Sequence, residues 1–90
     1  EYGILSNAIN LYPNPTTGML TVKVPMKEGV RDLEISLYNM VGQEIFTRIY
    51  GDAEQDFSTY FDLNDLANGI YLMKFSSGSQ SVMKKVILAR

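Results

Sequence analysis

The chain has 90 residues, 46% hydrophobic and 20% charged, a composition that fits one small globular domain and argues against disorder or a fibrous repeat. It contains no Cys, His or Trp, which excludes disulfides, thiolate and imidazole metal sites, Cys nucleophiles and every triad built on a His base. Eight basic residues against ten acidic ones, for a net charge of −2, leave no electrostatic footprint for nucleic acid or an anionic membrane, and no apolar run reaches the ~20 residues of a transmembrane helix.

Residues Glu1–Asn7 lack periodicity and read as the end of a linker, so the sequence is expected to be a module of a longer protein, with residues 1–8 as linker and 9–90 as the domain. Ile9–Tyr12 predicts a short strand, ended by Pro13-Asn14-Pro15-Thr16-Thr17-Gly18. Leu20, Val22 and Val24 alternate with Thr21 and Lys23 until Pro25 stops the ladder, the pattern of a half-buried strand. Leu33, Ile35 and Leu37 repeat that pattern, and Tyr38-Asn39-Met40-Val41-Gly42 marks a hairpin into the β-rich run Gln43–Tyr50. In that run Ile45 and Ile49 share one face and Phe46 and Tyr50 the other, so its inward side is left open. Phe57, Thr59, Phe61 and Leu63 form a further alternating set, broken by Asn64-Asp65-Leu66-Ala67-Asn68-Gly69. Ile70–Phe75 is the next strand, with Tyr71, Met73 and Phe75 on one side. After the turn cluster Ser76-Ser77-Gly78-Ser79, Val82–Leu88 is the terminal strand. About seven short strands with regular turn signals predict an all-β, immunoglobulin-like antiparallel sandwich. Its expected inward set is Leu20, Val22, Leu33, Ile35, Leu37, Leu66 and Tyr71.

Most candidates for chemistry fail on spacing. Asp62, Asn64 and Asp65 resemble a calcium loop, but counting from Asp62 the fifth and sixth positions are Leu66 and Ala67, where the EF-hand needs an oxygen ligand and a Gly. Polar turn residues satisfying their own backbone are the better account. Pro15 occupies the middle position of Asn14-Pro15-Thr16 and excludes glycosylation. Asp52, Glu54 and Asp56 sit in a polar connection that offers nothing to raise a carboxyl pKa for acid catalysis. No metal, cofactor or catalytic residue is expected, and the chain does not read as an enzyme.

Six tyrosines are many for this length, and a row of exposed ones on a sheet would stack on sugar rings. Tyr71 has a different account. Leu66, Gly69 and Tyr71 surround one crossing between strands in the manner of a tyrosine corner, whose hydroxyl bonds back to the backbone. Gly18 and Gly42 read as turn glycines. Pro13 and Pro15 stiffen the segment around Asn14 and keep it from pairing continuously in a sheet. Lys84 and Lys85, adjacent on a strand, point to opposite faces. Two readings of this pair stand side by side. Lysines on an outer strand deter pairing with other chains, while Val86, Ile87 and Leu88 make both faces beyond them apolar, as a strand covered by a partner would be.

The motifs also occur together in a recognisable order. Leu11-Tyr12-Pro13-Asn14-Pro15-Thr16-Thr17-Gly18, then Tyr38-Asn39 with Gly42-Gln43, then Asp62-Leu63-Asn64-Asp65-Leu66-Ala67-Asn68-Gly69-Ile70-Tyr71, and finally Lys84-Lys85-Val86-Ile87-Leu88 resemble the C-terminal sorting domain of the type IX (Por) secretion system. The resemblance runs from about Ile9 to Arg90. It implies a β-sandwich of Bacteroidota that passes through the periplasm, is read by the type IX translocon and its shuttle proteins at the outer membrane, and delivers an upstream cargo domain to the cell surface or beyond. It further implies that a surface sortase usually removes the domain, with no catalytic residue or cofactor in the domain itself. On this resemblance Lys84, Lys85, Val86, Ile87 and Leu88 are the recognition candidates, and Pro13, Asn14, Pro15, Gly18, Gly42, Leu66, Gly69 and Tyr71 are structural motif residues. The accessible backbone around Gly3, Ser6 and Asn7 is the expected cleavage region. The alternatives are a carbohydrate-binding or adhesive sandwich, which three aromatics aligned on one exposed face would favour, and a structural spacer.

Overall fold

The computed structural model describes residues 9–24, 30–53, 57–78 and 80–90. Seven strands form: β1 (Asn10–Tyr12), β2 (Met19–Val24), β3 (Val30–Tyr38), β4 (Glu44–Ala53), β5 (Phe57–Asp62), β6 (Gly69–Ser77) and β7 (Gln80–Leu88). No helix forms among the described residues. The strands make two antiparallel sheets, one ordered β1-β2-β5 and the other β4-β3-β6-β7. The expected all-β sandwich of about seven strands is the fold observed. The terminal strand begins at Gln80, two residues before its predicted start, and β4 runs three residues past Tyr50.

Alternation builds the core. Leu20, Val22 and Val24 from one sheet meet Leu33, Ile35, Leu37, Tyr71, Met73 and Phe75 from the other, and all nine are buried. Val86 and Leu88 extend this layer at the end of β7. The β5 alternation continues inward through Phe61 and Leu63. Six of the seven residues expected to face inward are buried, and Leu66 is the correction. It lies in the loop before β6, half-buried, and packs against the margin of the core.

The open question in β4 is settled by packing across the sandwich. Phe46 stacks on Phe61 of β5 with ring centroids 5.3 Å apart, and Tyr50 meets Phe57 edge-on at 4.9 Å. Ile49, on the other side, is 76% exposed. Irregular register between β3 and β4, with Leu33 opposite Gly51 but Glu34 opposite Ile49, leaves Tyr50 as an extra residue. This bulge, and a second one at Ile45, allow both isoleucine and aromatic positions to alternate without a single consistent phase.

Candidate functional site

β7 forms one edge of the four-stranded sheet, with β6 as its single strand neighbour. Their ladder pairs residue by residue from Gly69 opposite Leu88 to Ser77 opposite Gln80, without a bulge. Val86 and Leu88 therefore face the core, while Met83, Lys85 and Ile87 face out. Lys84 shares the inward side and is half-buried, whereas Lys85 is exposed, so the two lysines do lie on opposite faces.

The segment after β1 straps the end of this strand. The side-chain amide of Asn14 donates to the Lys85 carbonyl at 2.9 Å, and its carbonyl oxygen accepts the Ile87 N–H at 2.9 Å. Thr16 then continues as backbone: its N–H donates to the Ile87 carbonyl at 2.8 Å, and its carbonyl accepts the Ala89 N–H at 2.9 Å. Thr16 and Leu88 form a parallel bridge. The Thr16 hydroxyl is buried and satisfied within its own turn, donating to the Met19 carbonyl at 2.6 Å and accepting the Gly18 N–H at 3.1 Å. Both Tyr12-Pro13 and Asn14-Pro15 are cis.

Two sequence expectations about the terminal strand change as a result. Its outer edge is not unpaired at the tip, because Asn14 and Thr16 occupy the groups of Lys85, Ile87 and Ala89. Nor do Val86 and Leu88 supply surplus apolar surface, since they are core residues at 0% and 1% exposure. Ile87 alone of the three apolar tip residues lies on the outer face, half-buried. The prolines end continuous pairing as expected, but the residues between and after them restore it through a side chain and one bridge. Thr16 lies inside the Pro13–Gly18 segment without a motif role of its own. A Thr two residues before a Gly, after a Pro, is the available signal for a hydroxyl that closes its own turn.

The remaining motif residues hold loops. The Tyr71 hydroxyl donates to the Ala67 carbonyl at 2.5 Å, which makes the predicted tyrosine corner. Gly69 starts β6 beside it. Arg90 closes the same loop, with its guanidinium bonded to the Leu66 carbonyl and its backbone N–H to the Asn68 side chain at 3.1 Å. In the β3–β4 hairpin, the Asn39 side-chain oxygen accepts the N–H groups of Val41 and Gln43, while Gly42 takes a φ of 88° that other residues rarely adopt. Gly18 has a different reason for being Gly. A Cβ there would lie 2.1 Å from Asn64 Oδ1, so its requirement is space. Asn64 is fixed by Asp62, whose carboxylate accepts both its backbone N–H at 3.0 Å and its side-chain amide at 2.7 Å. Those residues serve their own turn.

Exposed aromatics are few among the described residues. Tyr12 and Tyr60 flank Thr21 in one row across β1, β2 and β5, at 44% and 70% exposure. That is two, where a sugar-stacking row called for three. The cleavage candidates Gly3, Ser6 and Asn7 lie outside the described residues, as do Glu54 and Asp56. No helix among the described residues is long and apolar enough to cross a membrane.

No curated protein matches the sequence. The model of the secretion system C-terminal sorting domain family, the Por secretion tail, matches residues 10–89, which spans every strand and motif described above. With the four motifs in order, the sandwich they hold together and this match over nearly the whole length, the chain belongs to the type IX secretion C-terminal sorting domain family.

Proposed function

We propose that this domain is the address of an exported cargo, read through its strapped terminal strand at the outer-membrane translocon and its shuttle proteins after transit through the periplasm. Residues 1–8 then belong to the linker that joins it to the upstream cargo, and a surface sortase cuts in or just before Glu1–Asn7, the stretch that holds Gly3, Ser6 and Asn7. The observation that carries the reading is the family match over residues 10–89. The strap supports it physically, because Asn14 and Thr16 tie the cargo-proximal end of the domain to its last strand. The sorting family is one of signals, not of catalysts, and the domain works by being recognised. Among the recognition candidates we assign two roles. Val86 and Leu88 hold the strand in the core, while Lys84, Lys85 and Ile87 are the groups a partner reaches.

The test is export of a signal-peptide-bearing soluble reporter fused to residues 9–90 in a type IX-competent cell. The wild-type fusion is expected at the surface or in the medium, and a folded Lys84→Glu/Lys85→Glu fusion is expected to accumulate in the periplasm. Charge reversal leaves Val86, Leu88 and the strap in place, so it separates recognition from stability better than deletion of 84–90 does. Normal export of the folded double variant would assign the lysines to edge protection and remove them from the signal.

A further inference from the structure

Charge is segregated along this chain. Residues 69–90 contain no Asp or Glu, yet they carry Lys74, Lys84, Lys85 and Arg90 in a molecule whose net charge is −2. Alternation with buried Met73, Phe75 and Val86 puts Lys74 and Lys85 on the outer face of the four-stranded sheet. Neither has an ion-pair partner among the described residues. Register sets Tyr38, Leu72 and Lys85 in one row across β3, β6 and β7, and Ser36, Lys74 and Met83 in the next. Tyr38 and Leu72 are half-buried, Met83 is 50% exposed, and Met40 of the hairpin is 63% exposed. Together with Ser81 and Lys74 they line an open groove of about 360 Å³. Its floor is apolar, Lys74 lies in its lining and Lys85 stands beside Leu72.

The groove borders the part of β7 that the strap leaves bare. In an antiparallel ladder every second residue turns both its N–H and its C=O away from the neighbour. The bonds from Ile87 to Asn14 and Thr16 identify the odd-numbered residues as the outward set in β7. The continuous register carries this back to Lys85, Met83 and Ser81. The N–H and C=O of Ser81 and Met83 and the N–H of Lys85 thus face outward, with no strand beside them among the described residues. Beyond Lys85 the strap closes the edge.

We propose that the edge from Ser81 to Lys85 and the adjoining groove are a docking site for an extended segment of a partner protein, added antiparallel or parallel as a fifth strand, whose outward-facing side chains (every second residue) alternate between apolar groups and carboxylates. The main chain of such a strand satisfies the free groups of Ser81 and Met83, its apolar side chains cover Met83 and Leu72, and its carboxylates meet Lys85 and Lys74. An anionic lipid headgroup matches the charge but supplies neither the alternating N–H and C=O groups nor side chains for the groove. The strap fixes the register, since nothing can pair past Lys85 while Asn14 and Thr16 are seated. This inference deepens the export reading by naming the chemistry of the partner, and it is tested without export, so either can fail while the other holds.

The test titrates the isotope-labelled whole chain with a blocked peptide of repeating Val-Thr-Glu-Thr, which sets valine and glutamate in turn on one face, and with its Val-Thr-Lys-Thr counterpart, followed by amide NMR. The glutamate peptide is expected to shift the amides of Ser81, Met83 and Lys85 saturably and to slow their hydrogen exchange. The lysine peptide is expected to leave them unmoved. Lys74→Glu/Lys85→Glu is expected to weaken binding roughly tenfold or more. Met83→Pro, which removes one outward N–H and no ladder bond to β6, is expected to weaken it as well; if that variant does not fold, the charge pair decides alone. Absence of saturable shifts at millimolar glutamate peptide overturns the proposal, as do equal shifts with the lysine peptide. Vesicles containing phosphatidylglycerol that move these amides when the peptide does not would replace the strand partner by a membrane.

Discussion

The carboxamide of Asn14 donates to the Lys85 carbonyl and accepts from the Ile87 N–H, which is the pair of bonds a neighbouring strand would make with its backbone. Asn suits this position because one planar group holds a donor and an acceptor side by side. Asn14→Ala removes both bonds and is expected to cost about 1–2 kcal/mol, with faster hydrogen exchange at Ile87. Asn14→Asp keeps an acceptor for Ile87 but turns a carboxylate toward the Lys85 carbonyl, so Ile87 is expected to stay protected while stability falls. Equal exchange rates at Ile87 in wild type and Asn14→Ala would show that the strap does not hold the edge. Gly18 makes a separate test of steric need. Gly18→Ala pushes its Cβ into Asn64 and is expected to cost about 1 kcal/mol in urea denaturation, while Gly18→Ala/Asn64→Gly recovers most of that loss through relief of the overlap. Additive losses in the double variant would mean that the contact is not what excludes a side chain there.

At the scale of the element, β7 is divided by function along its length. Its last residues are committed to the fold through Val86, Leu88 and the strap, and its first half is bare on one side. Leu88→Ala leaves a cavity beside Thr16 and is expected to cost about 2–5 kcal/mol, read by chemical denaturation. That is a large fraction of the stability of a domain this small, roughly 5–14 kcal/mol at the usual value per residue. A loss below about 1 kcal/mol would place Leu88 outside the cooperative core. The same burial means that a truncation at Lys84 removes core residues and is expected to unfold the domain.

In the whole molecule, the sandwich is closed at two opposite corners by different means. On one side the strap joins the end of β1 to the end of β7, the two outer strands of their sheets. On the other, Phe46–Phe61 and Tyr50–Phe57 join β4 to β5, again outer strands of the two sheets. Each corner links the sheets where a plain pair of stacked sheets would gape. Phe46→Leu keeps an apolar side chain but loses the ring stacking, and is expected to cost about 0.5–1.5 kcal/mol beyond its change in buried area. Hydrogen exchange in β4 and β5 should rise before that in β6 and β7. Uniform acceleration across both sheets would show that the corner is not a separate point of opening.

The sequence by itself determined the strands, their inward faces and the tyrosine corner. Each follows from local causes: period-two alternation at Leu20–Val24 and Leu33–Leu37, turn chemistry at Asn39–Gln43, and a Leu, a Gly and a Tyr spaced around one crossing. Its motif order also carried the family. Tertiary structure alone decided which face of β4 is inward, because both were apolar and the choice rests on Phe61 and Phe57, distant in sequence. It decided that Leu66 lies at the core margin and that Gly18 needs room for Asn64 rather than a special φ. Above all it decided the fate of the terminal strand. An apolar tip and an edge position look like an open recognition element until the chain returns more than seventy residues away, with Asn14 and Thr16, to occupy the outward hydrogen bonds of Lys85 and Ile87. Backbone groups carry no sequence label, so which strand edge is free is a property of what the fold brings beside it.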